Sequence, residues 1–236
     1  DPDAIVESGC VYYNAKALNF FISEYIEGSS TSIRAIEIYN PTDSLINLLG
    51  LELWIISAGG DWEEGSENRY MFPEIELDPY EVFVMCKSEL SEECDYIESL
   101  PFNGDDAIGL VYIDTLIDQV GDEGYDPGNG WTINGIIDAT TDHTLVRDSS
   151  VIIGSTDWEN SSNNGWLVYE MDTFDYLGFH NSAALNIIMH NPIDYQIQPA
   201  YPNPFNPVTS ITYGLPENGN VTLNIYNIQG RLIKTL

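Results

Sequence analysis

The side chains best equipped for chemistry in this 236-residue chain are carboxylates. Asp105 and Asp106 stand side by side after Asn103-Gly104, and Asp118 and Asp122 follow within the same stretch. Successive residues of a strand point to opposite faces, so in a strand Asp105 and Asp106 form no acid–base pair. In a turn they can share a calcium ion with a backbone carbonyl and a third carboxylate, Asp118 or Asp122, because calcium accepts irregular cages of oxygen ligands. The competing use is structural, since Asp and Asn side chains bond nearby backbone amides and close turns. Asp122, Glu123 and Asp126 form a second candidate for a hard cation, although their spacing does not fit an EF-hand loop.

Other reactive types are sparse. Cys86 and Cys94 bracket the acidic loop KSELSEE and form a disulfide if that loop folds back; otherwise they are two free thiols, with Cys10 left over in either case. His143, His180 and His190 are scattered without zinc spacing, and His143 and His180 read as strand-end residues making local hydrogen bonds. There is no G-x-S-x-G elbow, no phosphate-binding glycine loop and no recognisable Cys–His motif. Arg34, Arg69 and Arg147 lie among acids and read as internal salt-bridge partners. Trp54, Trp131 and Trp166 can line a carbohydrate or peptide groove, but buried anchoring is the commoner use of tryptophan. The pattern points away from an enzyme. A metal-dependent hydrolase is the alternative, and among the residues the clustered acids argue for it.

The elements that must carry these residues are strands. Pro101–Gly121 holds two short apolar runs, Ala107–Tyr112 and Thr115–Val120, with a bend at Tyr112–Asp114, and reads as the central hairpin of a β-sandwich. Further strands are expected at Asn19–Tyr25, Ile33–Asn40, Leu51–Ser57, Met71–Leu77, Glu81–Cys86, Thr144–Arg147, around Val151–Ile153 and at Trp166–Tyr169. In Ile33–Asn40, Ile36 and Ile38 share one face while Glu37 and Tyr39 face away, as in a half-buried strand. Ala58–Asn68 and Gly121–Gly135 read as loops, the latter long enough to be functional or packed on itself, with Trp131 as its anchor. No helical period is sustained over three turns.

Hydrophobic residues make up 43% of the chain, enough for a folded core. The net charge of −31, from 38 acidic and 7 basic residues, repels phosphate backbones and argues against direct nucleic-acid binding. It also suits an exported protein kept soluble by its acids. No apolar run reaches the ~20 residues that span a bilayer as a helix. The chain starts at Asp1 without methionine or an apolar leader, as expected either of a mature exported chain or of a piece of a longer one. Residues 193–236 hold Asp194 and Glu217 against Arg231 and Lys234, so the whole net charge resides in residues 1–192. That shift marks a module boundary.

Several motifs in order carry a family resemblance. FFISEYIEG, AIEIYNPTD, LLGLELW, LDPYEVFVMC, FNGDDAIGLVY, IDQVGDEG, HTLVRDSSV and the closing YLGFH resemble a bacterial lamin-tail domain over residues 18–180. The resemblance implies an all-β, immunoglobulin-like β-sandwich that serves as an interaction module, in bacteria commonly on secreted proteins, some of them nucleases. Residues 1–17 then form an N-terminal arm and residues 181–192 a linker.

Residues 193–236 resemble the first half of the C-terminal sorting domain used in type IX secretion. The motifs are YPNPFNP, a strand at Ile211–Tyr213, Leu215-Pro216, Val221–Tyr226, and a turn into Arg231–Leu236. This part is expected to be a small, incomplete β-sandwich module. Together these readings imply a non-catalytic interaction or structural module of an exported cell-surface or secreted protein. Its partner would be a protein or cell surface, with self-association through the C-terminal strands, or assembly into a filament or surface layer by strand exchange, as a further possibility.

Overall fold

The computed structural model describes residues 13–62, 68–90, 92–180, 196–197, 213–214, 221–227 and 229–235. Cys10 and His190 therefore lie outside the described residues, as does the expected YPNPFNP motif. The chain divides into two compact units, residues 1–184 and 185–236. It is predominantly β.

In the first unit the strands are β1 (Phe21–Glu27), β2 (Arg34–Tyr39), β3 (Ile46–Asn47), β4 (Leu51–Ile56), β5 (Asn68–Met71) and β6 (Glu76–Leu77). They continue as β7 (Val82–Cys86), β8 (Tyr96–Ile97), β9 (Ala107–Tyr112), β10 (Thr115–Val120), β11 (His143–Arg147) and β12 (Trp166–Glu170). Among the described residues one α-helix, α1, spans Trp158–Asn164, and short 3-10 helices lie at Ala15–Asn19 and Ser88–Leu90. The strands form a six-stranded sheet in the order β12-β11-β1-β2-β7-β8, a four-stranded sheet in the order β10-β9-β4-β5, and the short pair β3-β6. Every pairing except the parallel β7–β8 is antiparallel. Period-two alternation sends Ile36, Ile38, Phe83 and Met85 of the larger sheet, and Leu51, Leu53, Ile55, Ile108 and Leu110 of the smaller, into one shared core, and a bulge between Ile22 and Glu24 in β1 lets Ile22 and Tyr25 join them.

The β9–β10 hairpin occupies the two residue ranges expected of it, joined by Ile113 and Asp114, both at positive φ (44° and 59°). A two-residue loop with this twist matches that of the flanking strands. The hairpin is not central, however: β10 is the edge strand of its sheet. Within β10 a bulge lies between Leu116 and Asp118, which places Asp118 opposite Leu110 on the core face. Strict alternation would instead have put Ile117 there and turned Asp118 outward.

Asp118 thereby crosses the core to Arg147 of the larger sheet, and the two make a fully buried ion pair. The second oxygen of Asp118 accepts from Ser155 N (2.9 Å), and the oxygen that faces Arg147 also accepts from Ile22 N (2.8 Å). Arg147 donates to Ile22 O (2.9 Å) and Ser161 Oγ (3.0 Å) and lies 3.8 Å over the Trp166 ring. Burial pushes the Asp118 carboxyl upward, against the pull of Arg147 and the amides.

The larger sheet is buried on both faces, contrary to the half-buried strand expected at Ile33–Asn40. Ile26, Ala35, Val84 and Cys86 point away from the main core and pack with Leu90 and Leu177 into a second cluster. Glu37 and Tyr39 are buried on the same outer face, and His180 stacks there against Phe21 and Tyr39 with ring centroids 5.4 and 4.7 Å apart. His180 is thus a covering residue rather than a strand-end one. His143 does open a strand, and its Nδ1 lies 2.6 Å from Thr141 O. Cys86 and Cys94 are joined in a disulfide (Cα–Cα 6.0 Å), which closes the loop carrying Leu90 onto this face.

Other expectations need correction. Pro73 interrupts the strand expected at Met71–Leu77; β5 ends at Met71 and begins at Asn68, the last residue of the expected loop Ala58–Asn68. Residues 151–153 form no strand, and Ile152 and Ile153 are exposed. The described end of the expected arm is part of the fold: Ala17 is buried in the core, and Asn14 N donates to Tyr112 Oη (2.6 Å).

In the second unit the described strands are β13 (Gln196–Ile197), β14 (Tyr213–Gly214), β15 (Asn224–Tyr226) and β16 (Leu232–Thr235), paired β13–β14 and β15–β16. The β15–β16 turn is organised by Asn227, whose Oδ1 accepts from Gln229 N and Arg231 N.

The buried ion pair yields a direct test. Asp118→Asn leaves a guanidinium buried without its counter-charge and is expected to cost about 3–5 kcal/mol in chemical denaturation. Replacing both partners with apolar residues, Asp118→Leu with Arg147→Met, is expected to recover most of that loss.

Candidate functional site: an aromatic and acidic cleft

The long loop from Gly121 to Gly135 is packed on itself and fastened at both ends. Gly124 N donates to Gly60 O (2.7 Å), Gly59 N to Tyr125 O (3.2 Å), and Trp62 N to Glu123 Oε2 (3.0 Å). At the far end Asn134 N donates to Ser162 O (3.0 Å) and Asn134 Nδ2 to Trp166 O (2.6 Å), tying the loop to α1 and β12. Trp131 anchors the middle, as expected. Its Nε1 donates to Asp106 O (3.0 Å), and its amide donates to Thr140 Oγ1 (2.7 Å). Gly121, at φ +84°, lies where a Cβ would come within 2.7 Å of the Trp131 indole, so no larger residue fits.

Helix α1 supplies the opposite wall. Asp157 caps it by accepting from Asn160 N (3.0 Å), and Gly165 ends it. Between loop and helix lies a cleft of about 610 Å³ lined by Asp122, Tyr125, Pro127, Trp131, Trp158 and Glu159, with Gly130 and Thr132. Its rings stand in different planes: Tyr125 and Trp131 are 5.8 Å apart at 49°, Trp131 and Trp158 5.8 Å apart at 83°. The tryptophans are nearly buried (4% and 7% exposed), whereas Tyr125 is 62% exposed. Sequence reasoning identified the loop, Trp131 and Asp122, but not Trp158 and Glu159. Asp157 and Gly165 were the available signal for a short helix, masked by its Asn- and Ser-rich composition.

The calcium candidates do not converge. Asp106 Oδ2 accepts from Asn103 N (2.9 Å) and Asp105 N approaches Asn103 Oδ1 (3.4 Å), so this pair sits within its own turn. Asp118 is committed to Arg147, and Asp122 lies on the cleft rim. Glu123 and Asp126 of the second candidate group accept from Trp62 N and Gly128 N. Among the described residues no three Asp, Glu, His or Cys side chains are grouped to hold a metal ion.

Of the arginines, Arg34 pairs with Glu27 (2.8 Å) and Arg147 with Asp118, while Arg69 lies 3.9 Å over the Trp54 ring. Trp54 and Trp166, like Trp131, are buried.

Two buried carboxylates escaped notice in the sequence. A bulge between Ile22 and Glu24 in β1 places Glu24 directly opposite Glu37 on the outer face of the larger sheet. Glu37 accepts from Ser23 Oγ (2.6 Å) and Gly178 N (2.6 Å), whereas both Glu24 oxygens are buried without a hydrogen bond among the described residues. Burial, reinforced by Glu37, pushes the Glu24 carboxyl up to about 9. Burial lifts Glu37 to about 7 despite its donors.

Residues 199–236 match the family described as the secretion system C-terminal sorting domain. No curated protein and no solved structure matches the chain. The match covers a segment of the kind that marks a protein for export. Among the described residues no helix is long and apolar enough to cross a membrane.

The buried acids set the expected pH response. Both are raised from an ordinary value of 4.5, so the folded chain holds protons that the unfolded chain has released. Their contribution to stability is complete below about pH 4.5 and is lost as pH rises through about 7 and then about 9. Glu24→Gln, which keeps the shape without the charge, is expected to raise the melting temperature at pH 8 and flatten this decline. A lower melting temperature for Glu24→Gln at pH 8 would contradict the assignment.

Proposed function

We propose that the chain is a non-catalytic interaction module of an exported bacterial protein, delivered to the cell surface or medium by its sorting segment. The match of residues 199–236 to a sorting domain carries this reading. The first unit, in this proposal, is an immunoglobulin-like β-sandwich of the lamin-tail type over residues 18–180. Two sheets that share one core, and the ordered motifs from FFISEYIEG to YLGFH, support it. The functional groups of such a module are surfaces held on a rigid scaffold, and the fastened loop at Gly121–Gly135 supplies one. A hydrolase reading draws no support from the acids, which are engaged in turns, an ion pair and backbone contacts.

A second reading, self-association through the tail, is favoured by the exposed Ile225, Tyr226, Leu232 and Ile233 on β15 and β16.

Two measurements separate these readings. In a bacterium possessing type IX secretion, removing residues 199–236 is expected to abolish surface or extracellular appearance and leave the protein in the periplasm. Unchanged export would overturn the first reading. For the second, light scattering of the chain lacking residues 193–236 is expected to show a smaller particle than the intact chain, and equal sizes would exclude assembly through the tail.

A further inference from the structure

We propose that the cleft between the Gly121–Gly135 loop and helix α1 binds a side-chain cation, the ammonium of a lysine or the guanidinium of an arginine, presented by a basic segment of a partner protein. The inference rests on reading the chain as an interaction module and names what one of its surfaces recognises. Three features of the cleft favour a cation.

Its walls are aromatic and concave. Tyr125, Trp131 and Trp158 all line the cavity, with neighbouring rings at 49° and 83° to one another. Ring faces attract cations through their quadrupole, most strongly where water is partly excluded.

Its rim carries negative charge left uncompensated by the protein. Asp122 uses Oδ1 to accept from Gln119 and from Glu123 N, leaving Oδ2 without a bond among the described residues. The Glu159 carboxylate makes no hydrogen bond or ion pair among the described residues; only its backbone carbonyl is used, within α1. Three of the unit's five basic side chains are held elsewhere, Lys16 by Asp43, Arg34 by Glu27 and Arg147 by Asp118, a fourth, Arg69, lies over Trp54, and no basic residue lines the cleft.

Its frame is fixed before binding. The loop is tied to Gly59, Gly60 and Trp62 at one end and to Ser162 and Trp166 at the other. A preformed site loses less freedom on binding than one that must be ordered. The charge of −31 adds long-range attraction for a basic partner.

The test titrates the full chain at low salt with capped tripeptides, acetyl-Gly-Arg-Gly-amide and acetyl-Gly-Lys-Gly-amide, against the triglycine control, by calorimetry and tryptophan fluorescence. Saturable one-to-one binding of the cationic peptides alone is expected. Tyr125→Ala removes an exposed ring without touching the core and is expected to weaken binding about tenfold. Asp122→Asn combined with Glu159→Gln is expected to reduce binding to the control level. Glu92→Gln with Glu93→Gln, exposed acids outside the cleft, is expected to leave affinity unchanged. An equal loss in that last variant would show a diffuse field rather than a site and overturn the proposal. So would full affinity in Tyr125→Ala, or binding of a neutral oligosaccharide without binding of either cationic peptide. None of these outcomes bears on export, which the deletion of residues 199–236 tests separately.

Discussion

The ion pair between Asp118 and Arg147 is the contact on which the first unit turns. It joins the edge strand of one sheet to the second strand of the other through the interior, where an isolated charge is costly. Each partner is also tied to the first strand, Asp118 through Ile22 N and Arg147 through Ile22 O. Two backbone atoms of one residue thus report the position of both sheets. Ser155 and Ser161 extend the same network to the segment before α1 and to the helix itself, so the wall of the cleft takes its position from the core.

The outer face of the larger sheet shows a different economy. A loop closed by the Cys86–Cys94 disulfide and the stretch from Phe174 to His180 lie over a surface that contains Glu24 and Glu37. Apolar side chains supply the cover, and backbone amides near Gly178 satisfy Glu37. Glu24 receives no such partner among the described residues and is accommodated by keeping its proton, which removes the repulsion that two carboxylates opposite one another would exert. Stability at this face is therefore tied to acidity, and stability at the centre is tied to charge pairing.

Much of the fold was legible because period-two patterns and turn residues act locally. The Ala107–Tyr112 and Thr115–Val120 runs, with Ile113-Asp114 between them, define their hairpin without reference to the rest of the chain. What remained hidden depends on one-residue register changes and on distant cover. The bulges at Ser23 and Ile117 reverse the faces of Glu24 and Asp118, and nothing in the alternation of neighbouring residues announces them. Glu37 and Tyr39 read as solvent-facing because the residues that bury them lie about 140 positions later. The cleft was half legible: Trp131 and the loop were recognised, but Trp158 and Glu159 arrive on a helix whose Asn- and Ser-rich sequence has little helical preference of its own.

The bulge at Ile117 gives β10 a latitude of length as well as of residue type. Ile117 is one residue more than the ladder needs: without it Leu116 and Asp118 would be consecutive, and plain alternation would keep Asp118 opposite Leu110 and facing Arg147. Descendants of this sequence are accordingly free to vary both the chemistry and the presence of that residue. An alignment that places a single gap there still pairs strands whose faces correspond.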